Sequence, residues 1–149
     1  MSFKIYTDGS CHGNPGPGGW AFIVVAKDEV VKEKSGSMEK TTNNQMELSA
    51  AIEGLFYFNE HIESKEVELF TDSKYVIDGI NSWIHGWKKN NWRTSTKKPV
   101  KNEELWKTLD ELNSRLIVSW NWVKGHSGDI FNDKVDLLAN NATVGDCIL

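Results

Sequence analysis

Residues 3–26 read FKIYTDGSCHGNPGPGGWAFIVVA, and the fold is best worked out from this stretch. Residues 3–7 alternate between apolar and polar side chains, which predicts a half-buried β-strand. Residues 9–19 hold five glycines and two prolines, so they are predicted to be a loop. Residues 20–26 are apolar throughout and predict a second strand. The chain therefore begins with two strands joined by a glycine-rich connection.

Strand and helix patterns then follow one another along the chain. The predicted elements are a strand (30–36), a helix from Asn44, a strand (67–71), a helix (73–82), a helix capped by Asn102, a strand (117–123) and a last helix around Val135. Three strands followed by alternating helices and strands predict an α/β fold. We expect a mixed five-stranded sheet, with three antiparallel strands and then parallel ones, flanked by helices.

The chain has 149 residues, a formal net charge of -4 and the composition of an ordinary globular domain. This length predicts one domain over residues 1–149, with a short tail at residues 143–149. No stretch is long and apolar enough for a membrane span, and the N-terminus does not resemble a secretion signal. Cys11 and Cys147 are far apart in sequence, so we expect no disulfide framework and a reducing, cytoplasmic location.

The charge is unevenly distributed, because residues 79–102 hold no Asp or Glu. Six of the 17 basic residues lie in this segment. The remaining 11 basic residues and the 21 acidic ones give the rest of the chain a net charge of -10. Tryptophans lie between the lysines of residues 83–101. We therefore interpret this segment, the basic protrusion, as a candidate nucleic-acid-binding surface. The alternative is that the tryptophans form the core of a protruding helix whose lysines face solvent. The segment contains Trp83, Trp87, Lys88, Lys89, Trp92, Arg93, Lys97, Lys98 and Lys101.

Two aspartates follow strands that are predicted to lie side by side. Asp8 ends the first strand and Asp72 ends the fourth, and ligands of α/β sheets gather beyond the carboxyl ends of parallel strands. Neighbouring strands are about 4.8 Å apart, so both carboxylates ionise readily only with a cation between them. Each aspartate also has a simpler interpretation. Asp8 with the next glycine is a turn dipeptide, and Asp72 with Ser73 can cap the following helix.

Two further acids lie near the starts of predicted helices. The residues that share a helix face with Glu47 are small, which lets the Glu47 side chain lie close to the sheet. Alternatively, Glu47 forms a capping box with Asn44. In the last helix we favour Asp136 over Asp133, which is better placed to complement the positive helix N-terminus.

Four acids from four elements form a hard oxygen site that suits Mg²⁺ or Mn²⁺. The histidines and cysteines lack the spacing of a zinc site, and no P-loop lysine follows the glycine-rich segment, so we expect neither zinc nor a nucleotide cofactor. His126, in the sequence KGHSG, is a candidate for proton transfer, because flanking glycines let it reach a bound substrate. The alternative is a loop histidine without a catalytic role.

Five segments, in order, resemble the signature segments of the bacterial type 1 ribonuclease H family. The likeness runs from about residue 3 to residue 142, which is nearly the whole chain. The five segments are residues 7–10 (TDGS), 13–19 (GNPGPGG), 41–44 with 46–48 (TTNN, MEL), 71–73 (TDS) and 122–126 (WVKGH).

The resemblance implies that the RNA strand of RNA/DNA hybrids is hydrolysed with two Mg²⁺ ions, for which Mn²⁺ can substitute. It implies that Asp8, Glu47, Asp72 and Asp136 bind the metal and that His126 assists proton movement or product release. Further implied substrate contacts are Cys11, Asn14, Asn43 and Asn44 in the minor groove, Lys40 and Thr42 at a DNA phosphate, Lys74, and Trp83, Trp87, Lys88, Lys89, Trp92, Lys97 and Lys98 in the basic protrusion.

The sequence departs from the family pattern in two places. Residues 129–131 (DIF) differ from the sequence expected after the histidine loop, and this difference affects the expected mobility of the loop and hence turnover. Lys74 stands where many relatives carry glutamine. One rival hypothesis is a hybrid-binding module without catalysis, which the complete set of acids disfavours. Another is an integrase-like strand-transfer enzyme, since the same architecture supports several phosphoryl-transfer reactions. The simplest expectation is a monomer, and the resemblance implies a role in removing RNA primers or RNA/DNA loops.

Overall fold

The computed structural model describes residues 2–125 and 129–145. Within these residues the chain forms one sheet, whose strand order is β3-β2-β1-β4-β5. The strands are β1 (Phe3–Cys11), β2 (Gly16–Ala26), β3 (Glu29–Thr41), β4 (Glu66–Thr71) and β5 (Ile117–Trp122). β1, β2 and β3 are antiparallel neighbours, whereas β4 runs parallel to both β1 and β5. The predicted mixed five-stranded sheet is confirmed.

Helices pack on both faces of this sheet. They are α1 (Asn43–His61), α2 (Lys74–Asp78), α3 (Ile84–Lys89), α4 (Glu103–Arg115) and α5 (Ile130–Gly145). A π-helical segment, Gly79–Trp83, joins α2 to α3. Among the described residues, we find no helix with both the length and the apolar character needed to cross a bilayer.

Alternate residues of the central strands bury two separate cores. Ile5 and Phe22 face α1 and α4, where Trp106 packs in the same apolar cluster. Tyr6 and Ile23, each one position further along its strand, face α5. Successive side chains of a strand point to opposite faces of the sheet, so α1 and α4 lie on one side of β1 and β2 and α5 lies on the other.

The glycine-rich segment is not the loop that its composition predicts. β1 continues to Cys11, which pairs with Gly18 of β2, and only residues 12–15 connect the two strands. Glycines usually weaken strands, but here they allow close packing. A Cβ atom at Gly19 would collide with the carbonyl of Ala139 in α5. The third strand also runs beyond its predicted end, as far as Thr41.

The predicted helix at residues 73–82 is longer and less regular in the structure. Ser73 caps α2 by accepting a hydrogen bond from the Val76 N–H at 3.2 Å. Helical backbone then continues through the π-helical segment into α3. A Cβ atom at Gly79 would overlap the Trp106 ring, so the π-helical segment begins where the chain crosses that indole. At the C-terminal end, residues 143–145 belong to α5 and not to a tail.

Asn102 precedes α4 as predicted, but its side chain does not cap the helix. Its φ is 60°, in the left-handed region, whereas a capping residue normally has extended backbone. The side-chain amide instead accepts from Gln45 Nε2 and donates to the Tyr75 hydroxyl, both at 3.1 Å. The predicted cap is therefore wrong, because tertiary contacts determine where this amide points.

Candidate active site

Asp8 and Asp72 lie side by side at the carboxyl end of the parallel pair β1 and β4. The pairing of the two strands ends at Thr7 and Thr71, so an aspartate comes next in each. Asp8 is 4% exposed. The simpler interpretations fail, because Asp8 lies inside β1 and not in a turn, and Ser73 supplies the cap of α2. Both carboxylates are available to a site at this edge of the sheet.

Glu47 is not used for helix capping. The N-cap of α1 is Thr42, whose hydroxyl accepts from the Gln45 N–H at 3.2 Å. In return, Gln45 Oε1 accepts from the Thr42 N–H, also at 3.2 Å. This capping box replaces the alternative between Asn44 and Glu47, because the helix begins earlier than predicted. Glu47 is 5% exposed, and its carboxylate reaches the aspartates at the sheet.

Gly9 allows α1 to approach β1 so closely. A Cβ atom at Gly9 would collide with the backbone of Met46 and Glu47. Further along the helix, a Cβ atom at Gly54 would lie 3.1 Å from the Ile5 side chain. The helix backbone is thus seated directly on the strand, which places Glu47 beside Asp8.

The acids predicted from separate elements meet at one place. Asp8, Glu47 and Asp72 each contribute an oxygen, and these oxygens lie within 4.8 Å of one another. Asp136 joins them from α5, where its carboxyl group is hydrogen-bonded to that of Asp8. One turn further on, Asn140 donates to the Asp136 carbonyl at 3.0 Å and accepts from the Ser10 hydroxyl at 2.8 Å, which ties α5 to β1.

The electrostatics of this cluster favour a bound cation. Burial, the hydrogen bond with Asp136 and the charge of Asp72 raise the pKa of Asp8 to about 10. Burial and the charges of Asp8 and Asp72 raise the pKa of Glu47 well above its usual value. Glu47 Oε1 and Asp72 Oδ1 are buried without a hydrogen-bond partner among the described residues. Mutually repelling oxygens that lack donors fit a hard divalent ion such as Mg²⁺ or Mn²⁺.

We expect the metal-free protein to lose stability between about pH 5 and pH 9. The folded chain keeps protons on Asp8 and Glu47 that the unfolded chain releases near about pH 4. Each such extra proton lowers the free energy of unfolding by up to about 1.4 kcal/mol per pH unit. This stabilising contribution is complete below the unfolded-state pKa and disappears as the pH rises through the folded-state pKa. Thermal melts in EDTA across this range measure it.

Saturating Mg²⁺ should flatten this pH dependence, because the cation offsets the repulsion between ionised carboxylates and binds only the folded chain. Glu111→Gln is the control, since Glu111 is an exposed acid that pairs with Arg115 on the surface of α4. It should leave the slope unchanged. A melting temperature that rises with pH in EDTA, and equally so in Mg²⁺, would contradict this account.

Trp122, Lys74 and Gly125 surround Asp72. Trp122 is 45% exposed at the end of an edge strand, and its indole N–H donates to the Asp72 backbone carbonyl at 3.0 Å. Lys74 lies over the Trp122 ring, with Nζ 4.9 Å from the centroid. A Cβ atom at Gly125 would lie 3.0 Å from Asp72 Oδ2. His126 falls outside the described residues, so its role stays a prediction.

The residues predicted to contact the minor groove and a DNA phosphate lie at the same end of the sheet as the acids. Asn14 Oδ1 accepts from the Asn43 N–H at 3.2 Å, which joins the connection between β1 and β2 to the start of α1. The Cys11 thiol donates to the Gly13 carbonyl at 2.7 Å. Their contacts with a substrate stay predictions. Of this set, Asn14, Lys40, Asn43 and Asn44 are exposed, whereas Cys11 and Thr42 are partly buried.

The basic protrusion packs on one side and is exposed on the other. Ile84 is 2% exposed, and the ring centroids of Trp87 and Trp106 are 5.4 Å apart. Lys88 forms an ion pair with Asp110 of α4 at 3.2 Å. The two interpretations of this segment are therefore compatible, because its inner residues belong to the core and its outer ones face solvent. The exposed members of the predicted set are Trp83, Lys88, Lys89, Lys97 and Lys98, and Trp92 is partly buried.

Several residues shape this site without being acidic, and these were not predicted from the sequence. Gly9 and Gly125 carry no functional group, so nothing local marks them as close neighbours of the acids. Gln45 did leave a signal, because Thr42 followed three residues later by glutamine is a capping-box pattern. Its bond to Asn102 has no local signal, since the two residues are far apart in sequence.

Comparisons with known proteins agree with this geometry. The family model for RNase H matches residues 1–144. A ribonuclease H of Mesorhizobium japonicum is 59% identical over 136 residues, 91% of this chain and 75% of the relative. One of Erythrobacter litoralis is 56% identical over 140 residues, 93% of this chain and 94% of the relative.

Solved structures show the same fold. LC9-RNase H1, a type 1 RNase H with the type 2 active-site motif, has a TM-score of 0.85 at 31% identity, covering 96% of this chain and 72% of that one. LC11-RNase H1, solved in complex with an RNA/DNA hybrid, has a TM-score of 0.74 at 22% identity, covering 98% of this chain and 99% of that one. At that identity the second likeness concerns the fold alone.

Proposed function

Because this chain belongs to the RNase H family, we propose that it hydrolyses the RNA strand of RNA/DNA hybrids, leaving 5′-phosphate and 3′-hydroxyl ends. The observation that carries the proposal is the convergence of Asp8, Glu47 and Asp72 within 4.8 Å. Their position at the carboxyl ends of parallel strands is where α/β sheets commonly bind ligands. Family membership supports the substrate class, and the acids support metal-dependent hydrolysis.

We assign two Mg²⁺ ions, with Mn²⁺ as a substitute, to Asp8, Glu47, Asp72 and Asp136. When bound, such ions supply activation of a water molecule and stabilisation of the departing 3′ oxygen. The chain itself holds the carboxylates in place, since Asp8 and Glu47 are buried and fixed by a strand and a helix. His126 assists proton transfer or product release, and Gly125, the residue before it, lies against Asp72.

Substrate selection rests on two surfaces. The groove residues (Cys11, Asn14, Asn43 and Asn44) offer side-chain amides and a thiol suited to the minor groove of the hybrid, where 2′-hydroxyls distinguish RNA from DNA. Lys40, Thr42 and Lys74 hold backbone phosphates beside them. The basic protrusion attracts phosphates further away, and the negative charge of the remaining chain helps to orient the hybrid toward it.

We also propose that residues 1–149 act as a single domain and a monomer in the cytoplasm, where the enzyme removes RNA primers and RNA/DNA loops. The single sheet with a core on each face supports one domain. Gel filtration with light scattering at micromolar concentration tests the monomer, and a dimer mass would contradict it.

The central test is cleavage of end-labelled duplexes: RNA paired with DNA, RNA with RNA, and DNA with DNA. We expect cutting of the RNA strand in the hybrid alone, none in EDTA, and recovery when Mg²⁺ or Mn²⁺ is added. Tight hybrid binding without cleavage in either metal would favour a hybrid-binding module. Equal cleavage of all three duplexes would refute the proposed specificity.

A further inference from the structure

Trp122 lies at the same end of the sheet as the acids and was not among the residues predicted to contact substrate. It is the last residue of β5, in register with Thr71 of β4, and the Val123 N–H still donates to the Thr71 carbonyl at 2.9 Å. Asp72 directly follows Thr71. Because β5 is an edge strand, the Trp122 side chain is 45% exposed. Its backbone is thus fixed by the sheet while its ring faces the side from which a substrate approaches.

The Trp122 ring makes one contact through its edge and another through its face. The indole N–H donates to the Asp72 backbone carbonyl at 3.0 Å, which orients the ring beside the acids. Lys74 lies over the face of the ring, with Nζ 4.9 Å from the ring centroid. An ammonium group at this distance is attracted to the π electrons, and indole is the side-chain ring that binds cations best. The ring therefore restrains an otherwise exposed lysine.

The positive charge of Lys74 is not neutralised by this restraint. None of the ion pairs formed within residues 2–125 and 129–145 includes Lys74. In contrast, Lys88 of the basic protrusion pairs with Asp110 at 3.2 Å, so a phosphate must compete with that carboxylate. An aromatic ring holds an ammonium group without supplying a counter-charge. The Lys74 ammonium is thus both restrained and available to an anion.

The position of Lys74 decides which anion it meets. Lys74 is the first residue of α2 and stands two residues after Asp72. A phosphodiester held at the acids through metal ions brings the next phosphate of the same strand close to α2. A free lysine loses conformational entropy when it binds, and a lysine already held in place avoids part of that loss. The ring of Trp122 is therefore suited to strengthen a phosphate contact that it does not itself make.

We propose that Trp122 is a positioning residue, which holds Lys74 ready to bind the phosphate next to the scissile one on the RNA strand. The inference rests on the proposed function, because it concerns the same substrate. It goes beyond that function by giving Trp122 a role and by making the Lys74 contact depend on it. Since the contact is with the backbone, it acts on hybrids of any base sequence.

Four variants separate the ring, the charge and the indole hydrogen bond. Lys74→Gln removes the charge and keeps a polar side chain, Trp122→Leu removes the ring, and Trp122→Phe keeps a ring but loses the indole N–H. The double variant Lys74→Gln/Trp122→Leu tests whether the two residues act together. Lys32→Gln is the matched control, because Lys32 also lies over an aromatic ring, 5.3 Å from the Tyr57 centroid, but on β3 at the opposite edge of the sheet.

Single-turnover cleavage in Mg²⁺ over a range of enzyme concentrations gives the half-saturating concentration and the maximal rate. For Lys74→Gln we expect the half-saturating concentration to rise about fivefold and its salt dependence to weaken by about one released counterion. Trp122→Leu should raise it about threefold, and the double variant no more than Lys74→Gln alone. Trp122→Phe and Lys32→Gln should stay within about twofold of wild type. Maximal rates should be unchanged, because the contact is one of binding.

Additive losses in the double variant would overturn the inference, because Trp122 would then act independently of Lys74. Trp122→Phe as impaired as Trp122→Leu would also overturn it, since the hydrogen bond to Asp72 and not the ring would matter. Unchanged salt dependence in Lys74→Gln would refute the phosphate contact. A lower melting temperature for Trp122→Leu with wild-type half-saturation would leave Trp122 only a structural role and refute positioning. If the wild-type protein cleaves no hybrid, the proposed function fails; if it cleaves and the losses are additive, only the positioning role fails.

Discussion

Asp8→Asn is expected to abolish hybrid cleavage and, in metal-free buffer, to stabilise the fold. The pKa of Asp8 is raised to about 10, chiefly by burial, so at neutral pH the folded chain must take up a proton that asparagine does not need. The amide keeps the shape of the side chain and can donate to a neighbouring carboxylate, but it is a poor ligand for Mg²⁺ beside three acids. We expect a rate loss of at least ~10³-fold in Mg²⁺.

The stability gain should appear as a higher melting temperature in EDTA, by about 2–4 °C for each kcal/mol of relieved repulsion. It should be larger at about pH 8 than at about pH 4, where both the folded and unfolded chains hold the proton. Asp133→Asn is the matched control, because Asp133 is an exposed acid in the first turn of α5. It should cleave like wild type. Retained activity in Asp8→Asn would remove Asp8 from the mechanism, and an unchanged melting temperature would refute the electrostatic account.

Gly9→Ala is the second substitution with a large expected effect, and it acts through packing. The added methyl group would overlap backbone atoms of Met46 and Glu47, which cannot turn aside as the end of a flexible side chain can. α1 must therefore shift away from β1 and carry Glu47 away from Asp8. We expect the free energy of unfolding to fall by about 1–3 kcal/mol and the cleavage rate to fall with it, by up to about 10²-fold.

Urea titration measures the stability of Gly9→Ala, and its cleavage rate is measured where the titration shows the variant to be folded. Gly86→Ala is the control for stability, because Gly86 lies inside α3 and an added Cβ atom would meet nothing within 4 Å. It should stabilise the protein by roughly 0.4–1 kcal/mol. A Gly9→Ala variant as stable and active as wild type would show that α1 does not rest on β1 at this residue.

Elements with a clear local pattern agree closely with the sequence analysis. The strand predicted at residues 67–71 is β4, and the helix predicted after Asn102 is α4, which buries Trp106, Leu109 and Leu112. Periodicity succeeds here because each element has one face that must be buried against its neighbour. Boundaries were less accurate, as β3 shows by running to Thr41, since pairing with β2 continues where the apolar pattern has ended.

The candidate site was predictable in its chemistry and not in its geometry. Residue type and order along the chain named Asp8, Glu47, Asp72 and Asp136 and favoured Asp136 over Asp133. Asp8, Glu47 and Asp72 lie within 4.8 Å of one another in the structure, and the roles of these acids stay predictions. The alternatives for these acids could not be resolved locally. The capping box of α1 begins at Thr42 and does not use the Glu47 carboxylate. Ser73 caps α2, so the Asp72 carboxylate is not needed as a helix cap.

Hydrophobic periodicity, motif order and charge distribution are properties of the chain read in one direction, and they were sufficient to predict the fold class and an acidic cluster that could bind metal. Other features depend on what lies across a sheet or between two helices. Gly9 makes room for a helix far along the chain, Trp122 is exposed because β5 is an edge strand, and Asn102 gives up its cap to bind Gln45. Packing and hydrogen bonding between distant residues outweigh local preferences of about 1 kcal/mol, so these features emerge when the chain is folded.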